Sequence, residues 1–306
     1  MSSIMTNVAA MTALKTLQQT NKSLEATQSR ISTGYKVNEA SENAAYWSIA
    51  TTMRSDNKAL GTVQDALGLG SAKVDTAYTG MSAAIKVVDE IKTKLVAARE
   101  PGVDRAKVQE EITQLQSQLT SITTAASFSG ENWLSVDSGA ANYSATKSIV
   151  ASFDRSSTGT VSVNTVDIDI SSTELFDAAD QSGILDTTFT TTGVGAATVS
   201  VATLDLTAAG IDETDIDDMI TGVETALASM TSAASTLGAA KNRISIQKDF
   251  VSDLMNVIDK GISTLVDADM TAESTKLQAL QTQQQLGIQA LSIANQGAQS
   301  VLSLFR

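Results

Sequence analysis

The 306-residue chain contains no cysteine and no histidine. Those absences remove disulfides, thiolate nucleophiles, imidazole bases and the usual zinc and copper ligands together. Aromatic residues make up only 4%, so a core must be built from aliphatic side chains. A single proline, Pro101, leaves room for helices far longer than the ordinary length of about eleven or twelve residues. No apolar run reaches the roughly eighteen residues of a membrane-spanning helix, so membrane insertion is not expected. The start, "MSSIMTNVAAMTALKTLQQT", lacks a basic stretch followed by an unbroken apolar core. A Sec-type signal peptide is therefore not expected, and if the protein leaves its cell it needs another export route. Lys and Arg are missing from Ser156 to Ala240, where thirteen acidic residues lie, while the rest of the chain balances 21 acidic against 21 basic residues. The net charge of −13 thus sits in the middle, which argues against nucleic acid as a partner.

What the chain has in quantity is heptad spacing. Met53, Leu60, Leu67, Val74, Met81, Val88 and Leu95 occupy one position of seven consecutive heptads. Ile49, Val63, Ala77, Ala84, Ile91 and Ala98 fill most of the companion row, interrupted by Asp56 and Gly70. This predicts one long helix. Pro101-Gly102 breaks it, and Asp104 can cap a second helix whose apolar positions are Val108, Ile112, Leu115, Leu119, Ile122 and Ala126. The two read as a helical hairpin closed by "SFSGENWLS", with Trp133 as its anchor. Further on, Ile216, Val223, Met230, Leu237, Ile244, Val251, Ile258 and Leu265 recur every seven residues, with Ile220, Leu227, Ala234, Met255 and Ile262 alongside and Lys241 and Lys248 intruding. Such helices draw most of their stability from packing on one another.

Between these arms "ATKSIVASF", "GTVSVNTVDIDI" and "ATVSVATLDLT" alternate β-branched with polar residues and read as strands of a small antiparallel domain, while "STELFDAAD" reads as a short helix. The outermost segments differ again. Ala10, Leu17, Leu24 and Ile31 keep seven-residue spacing at the front, with Leu14 also apolar and with Asn21 and Gln28 where a second seam row belongs. At the rear Leu277, Leu280, Leu291, Ala294, Ala298, Val301, Leu304 and Phe305 supply the apolar positions, with Gln284 and Gly287 among them. Both terminal helices are apolar enough to need partners and too polar for lipid. One pairing leaves the outward halves of both stripes wet. They are therefore expected to order only among copies of the same chain and to be disordered in the monomer.

Other motifs carry less. "IDETDIDD" (211–218) lacks the central Gly and distal Glu of a Ca²⁺ loop and reads as an acidic first turn favoured by the helix dipole. "GLGS" (68–71) and "GVG" (193–195) lack the strand, helix and Lys of a phosphate loop. Gly70, Gly287 and Gly297 read as points of close helix approach. Asn21 and Gln28 read either as register-setting polar contacts or as a solvated face. Tyr35, Tyr46 and Trp47 read either as core packing or as contacts to a neighbouring copy. Carboxylate pairs abound, but none comes with a base partner or pocket that marks catalysis.

"SRISTGYKVNEASENAAYWSIA" (29–50) resembles the signature near the front of bacterial flagellins, and "STLGAAKNRI", "VDADMTAES" and "QQQLGIQALSIANQGAQSVLSLFR" resemble that family's carboxyl-terminal half. The likeness covers residues 4 to 137 and 212 to 306. It implies a helical filament subunit, exported unfolded by the flagellar type III apparatus with a chaperone, that associates with itself and related flagellins and meets the junction and cap proteins of the flagellum. It also implies an extracellular location and no enzymatic role. Glu42, Asn43, Tyr46 and Trp47 depart from the family pattern in the stretch that plants perceive. Glu90 stands where animal receptors read an arginine, so strong recognition is not expected.

The expected architecture is mainly α: a long coiled-coil-like helical rod with paired terminal helices and a small inserted β domain. Residues 1–33 and 270–306 are expected to form the filament core, 34–137 and 211–269 the rod, and 138–210 the surface domain. Leu14, Leu17, Leu24, Ile31, Leu277, Leu280, Leu291, Ala294, Val301, Leu304 and Phe305 are the expected assembly residues. Met53, Leu60, Leu67, Val74, Met81, Val88, Leu95, Val223, Met230, Leu237, Ile244 and Val251 are the expected rod-packing residues. No cofactor or metal is expected. The alternatives are a hook-filament junction protein and a monomeric secreted coiled-coil adhesin.

Overall fold

The computed structural model describes residues 7–156 and 158–303, with side chains as far as Gly297. Five α-helices dominate: α1 (Val8–Thr33), α2 (Ala44–Ala98), α3 (Arg105–Ala125), α4 (Glu213–Val266) and α5 (Met270–Ser303). The fold is mainly α. The chain divides into two compact units, one spanning Lys58–Met255 and one built from the residues on either side of it.

Within Lys58–Met255 the two long helices run antiparallel in a constant register. Asp75 pairs with Lys241 at 2.7 Å, Lys92 with Glu224, and Arg99 with Asp217 at 2.6 Å, while Gly61 faces Met255 and Gly238 faces Tyr78. Every α2 residue in these pairs meets the α4 residue whose number completes 316. The heptad residues Leu60, Leu67, Val74, Met81, Val88 and Leu95 are buried, as are Ile216, Val223, Met230, Leu237, Ile244 and Val251. On α4 the buried companion row is Met219, Ala226 and Ala233, while Ile220, Leu227 and Ala234 are only half-buried. Phe189 packs on Gly222, on the same flank as Met219 and Ala226, so the inserted segment closes that side of the helix and leaves the other open.

The helix break is placed as the residues demand. Gly102 adopts φ 95°, and the Asp104 carboxylate accepts the Ala106 N–H, capping α3. At the far end of α3, Asn132 donates to Thr123 O and accepts the Leu134 N–H, turning the chain so that Trp133 and Leu134 are buried. Glycines make the room: a Cβ on Gly80 would lie 2.7 Å from Leu134 Cδ1, and one on Gly70 would lie 2.5 Å from Ile149 Cγ2. Gly70 thus admits a strand side chain, not the neighbouring helix expected of it.

The inserted segment keeps two of its three expected strands. Short strands β1 (Ser127–Phe128), β2 (Glu131–Asn132) and β3 (Ser135–Val136) precede the hairpin of β4 (Thr146–Arg155) and β5 (Val161–Asp169), whose antiparallel register shifts between Val150 and Ser152. "STELFDAAD" forms no helix. It contributes β6 (Phe176–Asp177), paired parallel to β3, because Thr173 and Asp177 bond local backbone groups instead of leaving them to a helix. Among the described residues the strands pair as four separate two-stranded sheets, of which β3–β6 is parallel, so the expected purely antiparallel domain does not form. The third run forms only β8 (Thr198–Val199), opposite β7 (Phe189–Thr190), and then a 3₁₀ turn at Val201–Thr203. Its apolar residues Val199, Val201, Leu204 and Leu206 are all buried, but so is Ser200 between the first two, while Gln109 and Gln116 of α3 bond the carbonyl of Leu204.

In the other unit α1 and α5 pair antiparallel. Asn7 caps α1 through the Ala10 N–H, and Gly34 ends it at φ 77°. Beyond Gly34 the chain pairs with the end of α4, Tyr35 opposite Asp267, and Val37, Ala50, Ile262 and Val266 form a core with Tyr35, Met53 and Ile258. Tyr35 is therefore a packing residue, with the Arg54 guanidinium 4.9 Å from its ring centre. Ala50 is buried where Ile49 was expected, and Ile49 is exposed, because α2 there faces this small core through a different row.

Candidate assembly surfaces

The seam between α1 and α5 is half apolar and half polar. Leu17, Leu24 and Ile31 are half-buried on α1, and Leu277, Leu291 and Ala294 on α5, with Leu280 buried. Gly287 lets Leu17 lie close, 3.2 Å from an added Cβ, whereas a Cβ added at Gly297 would meet no atom within 4 Å among the described residues. Polar bonds sit along the same seam. Asn7 donates to Ala294 O at 3.0 Å, Gln284 donates to Asn21 Oδ1 at 2.8 Å, and Arg30 pairs with Glu273 at 3.3 Å. Gln28 is exposed, and Thr27 is the buried polar residue on that turn. Helix rotation after Asn21 carries position 28 out of the seam.

Away from that seam both helices keep large apolar side chains in water. Val8 is 65% exposed, Met11 60% and Leu14 45%; on α5, Leu286 is 58% exposed, Ile288 54% and Ile293 68%. Leu14 therefore lies outside the α1–α5 seam. Val301 lies on α5, but its side chain falls outside the described residues, as do Leu304 and Phe305 altogether. Val8, Met11, Leu286 and Ile288 are not legible from spacing, because they fall outside a single apolar stripe on each helix. A signal existed: from Leu277 to Phe305 the chain has no charged residue, so α5 has no polar face that prefers water by charge.

In the Lys58–Met255 unit Ile246 and Phe250 are exposed one turn apart on α4. A shallow cavity of about 480 Å³ lies between α2 and α3, lined by Tyr78, Ser82, Lys86, Glu90 and Gln118 among others. Tyr46 and Trp47, in the other unit, are part-exposed at the start of α2. The departures from the family signature do local work there: Asn43 caps α2 through the Tyr46 N–H, and Glu42 accepts the Asn38 N–H at 2.7 Å.

Ionisable groups in the inserted segment are shifted by their surroundings. Burial pushes the Glu174 carboxyl above its ordinary value against a 2.5 Å hydrogen bond from Tyr143, whose own hydroxyl is raised to about 12 by that bond. Glu131 accepts from both Lys73 and Lys147, and those bonds outweigh burial to lower its pKa, so one carboxylate joins α2, β2 and β4. Among the described residues no group of three His, Cys, Asp or Glu is placed to hold a metal, and no helix is long and apolar enough to cross a membrane.

These features meet known proteins along the whole chain. The bacterial flagellin N-terminal helical region matches residues 4–138, and the bacterial flagellin C-terminal helical region matches residues 220–305. The chain is 52% identical to flagellin C of Rhizobium meliloti (strain 1021) and 47% identical to flagellin A of the same strain, in each case over 100% of both chains. It is similar to the flagellin of Brucella melitensis at 47% identity, again over both full lengths. Among solved structures, Bacillus cereus flagellin aligns at a TM-score of 0.38 and 16% identity, covering 62% of this chain and 88% of that one. Matched at both terminal regions and related over its entire length at these identities, the chain belongs to the bacterial flagellin family.

Proposed function

We propose how this structural subunit of the bacterial flagellar filament polymerises: the outward faces of α1 and α5 are buried only by the same helices of other copies. The observation that carries this is the double-sided character of the pair. Its seam is closed within the chain, yet Val8, Met11, Leu14, Leu286, Ile288 and Ile293 remain in water on a helix pair with no charge from Leu277 to Phe305. Surface of that kind on a soluble molecule marks an interaction site. Burying each such side chain contributes roughly 1.5–3 kcal/mol, repeated at every subunit added.

On this reading Leu17, Leu24, Ile31, Leu277, Leu280, Leu291 and Ala294 hold the α1–α5 pair, and Leu14, Val301, Leu304 and Phe305 belong to the contacts between copies. Residues 1–33 and 270–306 form the filament core, 34–137 and 211–269 the rod that joins neighbours, and 138–210 the outer surface. The heptad faces of α2 and α4 hold the rod and carry the choice between two nearly equivalent packings that gives a filament its supercoil. Export unfolded through the flagellar type III apparatus, with a chaperone covering the terminal stripes, fits helices that find full burial only at the end of the journey. Junction and cap proteins and related flagellins with like terminal helices are the remaining partners.

A chain shortened by about thirty residues at each end tests this. Electron microscopy and sedimentation are expected to find the shortened chain monomeric under conditions that polymerise the full one, with the α2–α4 unit folded by circular dichroism. Ordinary filaments from the shortened chain would overturn the reading.

A further inference from the structure

The turn between β7 and β8 holds Gly193, Val194 and Gly195, a run that the chain does not use for phosphate. Its backbone nevertheless cradles an anion, and that anion is part of the protein. Gly193 N–H donates to Asp215 Oδ1 at 3.1 Å and Gly195 N–H to Asp215 Oδ2 at 3.0 Å. The same carboxylate takes the Asp212 N–H at 3.1 Å and the Thr191 hydroxyl. Four donors thus converge on one fully buried carboxylate, which matches the number of lone-pair sites a carboxylate has.

The neighbouring carboxylates hold the rest of the turn. Asp212 accepts the Val194 N–H at 3.3 Å and caps α4 through the Asp215 N–H at 2.9 Å. Asp218 accepts both the N–H and the hydroxyl of Thr192, at 2.6 and 2.7 Å. The seat is close: a Cβ on Gly193 would lie 2.3 Å from Asp212 Oδ1. Behind the turn Thr191 is buried, and Phe189 packs on Gly222. The hairpin is therefore a cover over the first turns of α4, attached at its tip through carboxylates.

We propose that this hairpin is a strap fastened to the start of α4 by the carboxyl groups of Asp212, Asp215 and Asp218, and released when Asp215 takes a proton while the long helices stay folded. No basic side chain takes part in the fastening. The charged groups around it are Glu213 and Asp217 on α4, the latter paired with Arg99 of α2, and Arg105 of α3, which is engaged with Ile211 O. The negative charge is met by N–H groups and by the helix N-terminus, and both lose their partner when the carboxyl takes a proton. The Thr191 hydrogen bond first, and the Asp212 and Gly195 N–H groups after it, hold the Asp215 pKa at about 2 against burial, below the ordinary 3.8. A depressed carboxyl stabilises the folded form above its unfolded value and loses that effect as pH falls through its folded one. The strap is thus fully fastened above the ordinary carboxyl range and opens as pH falls from 3.8 towards about 2.

Hydrogen exchange read by mass spectrometry on the full monomeric chain tests this, each rate corrected for the intrinsic effect of pH. In Asp215→Asn the peptides covering 188–200 are expected to lose about tenfold or more of their protection at about pH 5, while those covering 84–98 and 223–237 keep theirs. In the unmodified chain the same 188–200 protection is expected to disappear between about pH 4 and pH 2 before helical circular dichroism falls. Protection of 188–200 in Asp215→Asn within twofold of the unmodified chain would overturn the proposal. So would acid loss at 188–200 that coincides with loss of the helices. Should Asp215→Asn unfold altogether, Asp218→Asn, which keeps the four donors of Asp215, is expected to speed exchange at 191–193 alone. No change there would equally overturn the proposal.

Discussion

Single glycines decide where this molecule can close up. Gly80 and Gly68 occupy the same helix, and nothing in the sequence distinguishes them. An added methyl at Gly80 meets Leu134 Cδ1 at 2.7 Å and Ala126 Cβ at 2.8 Å, both on buried residues, whereas one at Gly68 meets nothing within 4 Å. Gly80→Ala therefore sets an overpacking cost of about 1–3 kcal/mol against a helix-propensity gain of about 1 kcal/mol, and a net loss of stability is expected. Gly68→Ala keeps only the gain and should stabilise by roughly 0.5–1 kcal/mol. Urea unfolding of the two monomers checks the difference in sign; two changes of the same sign would contradict it.

Among elements, the α1–α5 pair is held by a seam in which polar bonds stand where further leucines would otherwise pack. The bond from Gln284 to Asn21 is part-buried, so Asn21→Ala leaves an amide without its acceptor and costs about 1–3 kcal/mol of pairing. The expected outcome is a higher critical concentration for polymerisation, recovered when Gln284→Leu is combined with Asn21→Leu, since replacing both partners removes the unpaired group. A single Asn21→Ala with an unchanged critical concentration would count against the role of this bond. The sequence located the polar position at Asn21 but not at Thr27, because helix rotation across the seam depends on the partner. The same limit explains α4, where the row at 216 and 223 was legible from spacing, while its buried companion lies on the flank where Phe189 meets Gly222. The apolar residues of "ATVSVATLDLT" turn inward as expected, but alternation told neither that Ser200 would be buried with them nor that the backbone would leave the strand at Val201.

For the whole molecule, the net charge and the long stretch without charged residues lie in different parts of the chain. The thirteen uncompensated carboxylates belong to Ser156–Ala240, and the stretch without charge, Leu277–Phe305, belongs to the carboxyl end. On the proposed reading, assembly through the latter is an apolar association, which weakens on cooling and strengthens with salts excluded from protein surfaces. The critical concentration is therefore expected to fall with added ammonium sulfate and to rise on cooling from about 25 to about 4 °C. Polymer favoured by cold and dissolved by sulfate would point to contacts dominated by charge.

By itself the amino-acid sequence determined the long helices, their break at Pro101-Gly102, the apolar character of both ends and the absence of the side chains that most catalysis requires, because heptad spacing, capping residues and composition act locally. Tertiary structure decided which flank of α4 is covered, that Leu14 looks outward while Leu17 looks inward, that Gly70 receives an isoleucine from a strand, and that the glycines of 193–195 serve a carboxylate twenty residues on. Each of those depends on what arrives from a distant part of the chain, and periodicity records only that a face will be buried, not what will bury it.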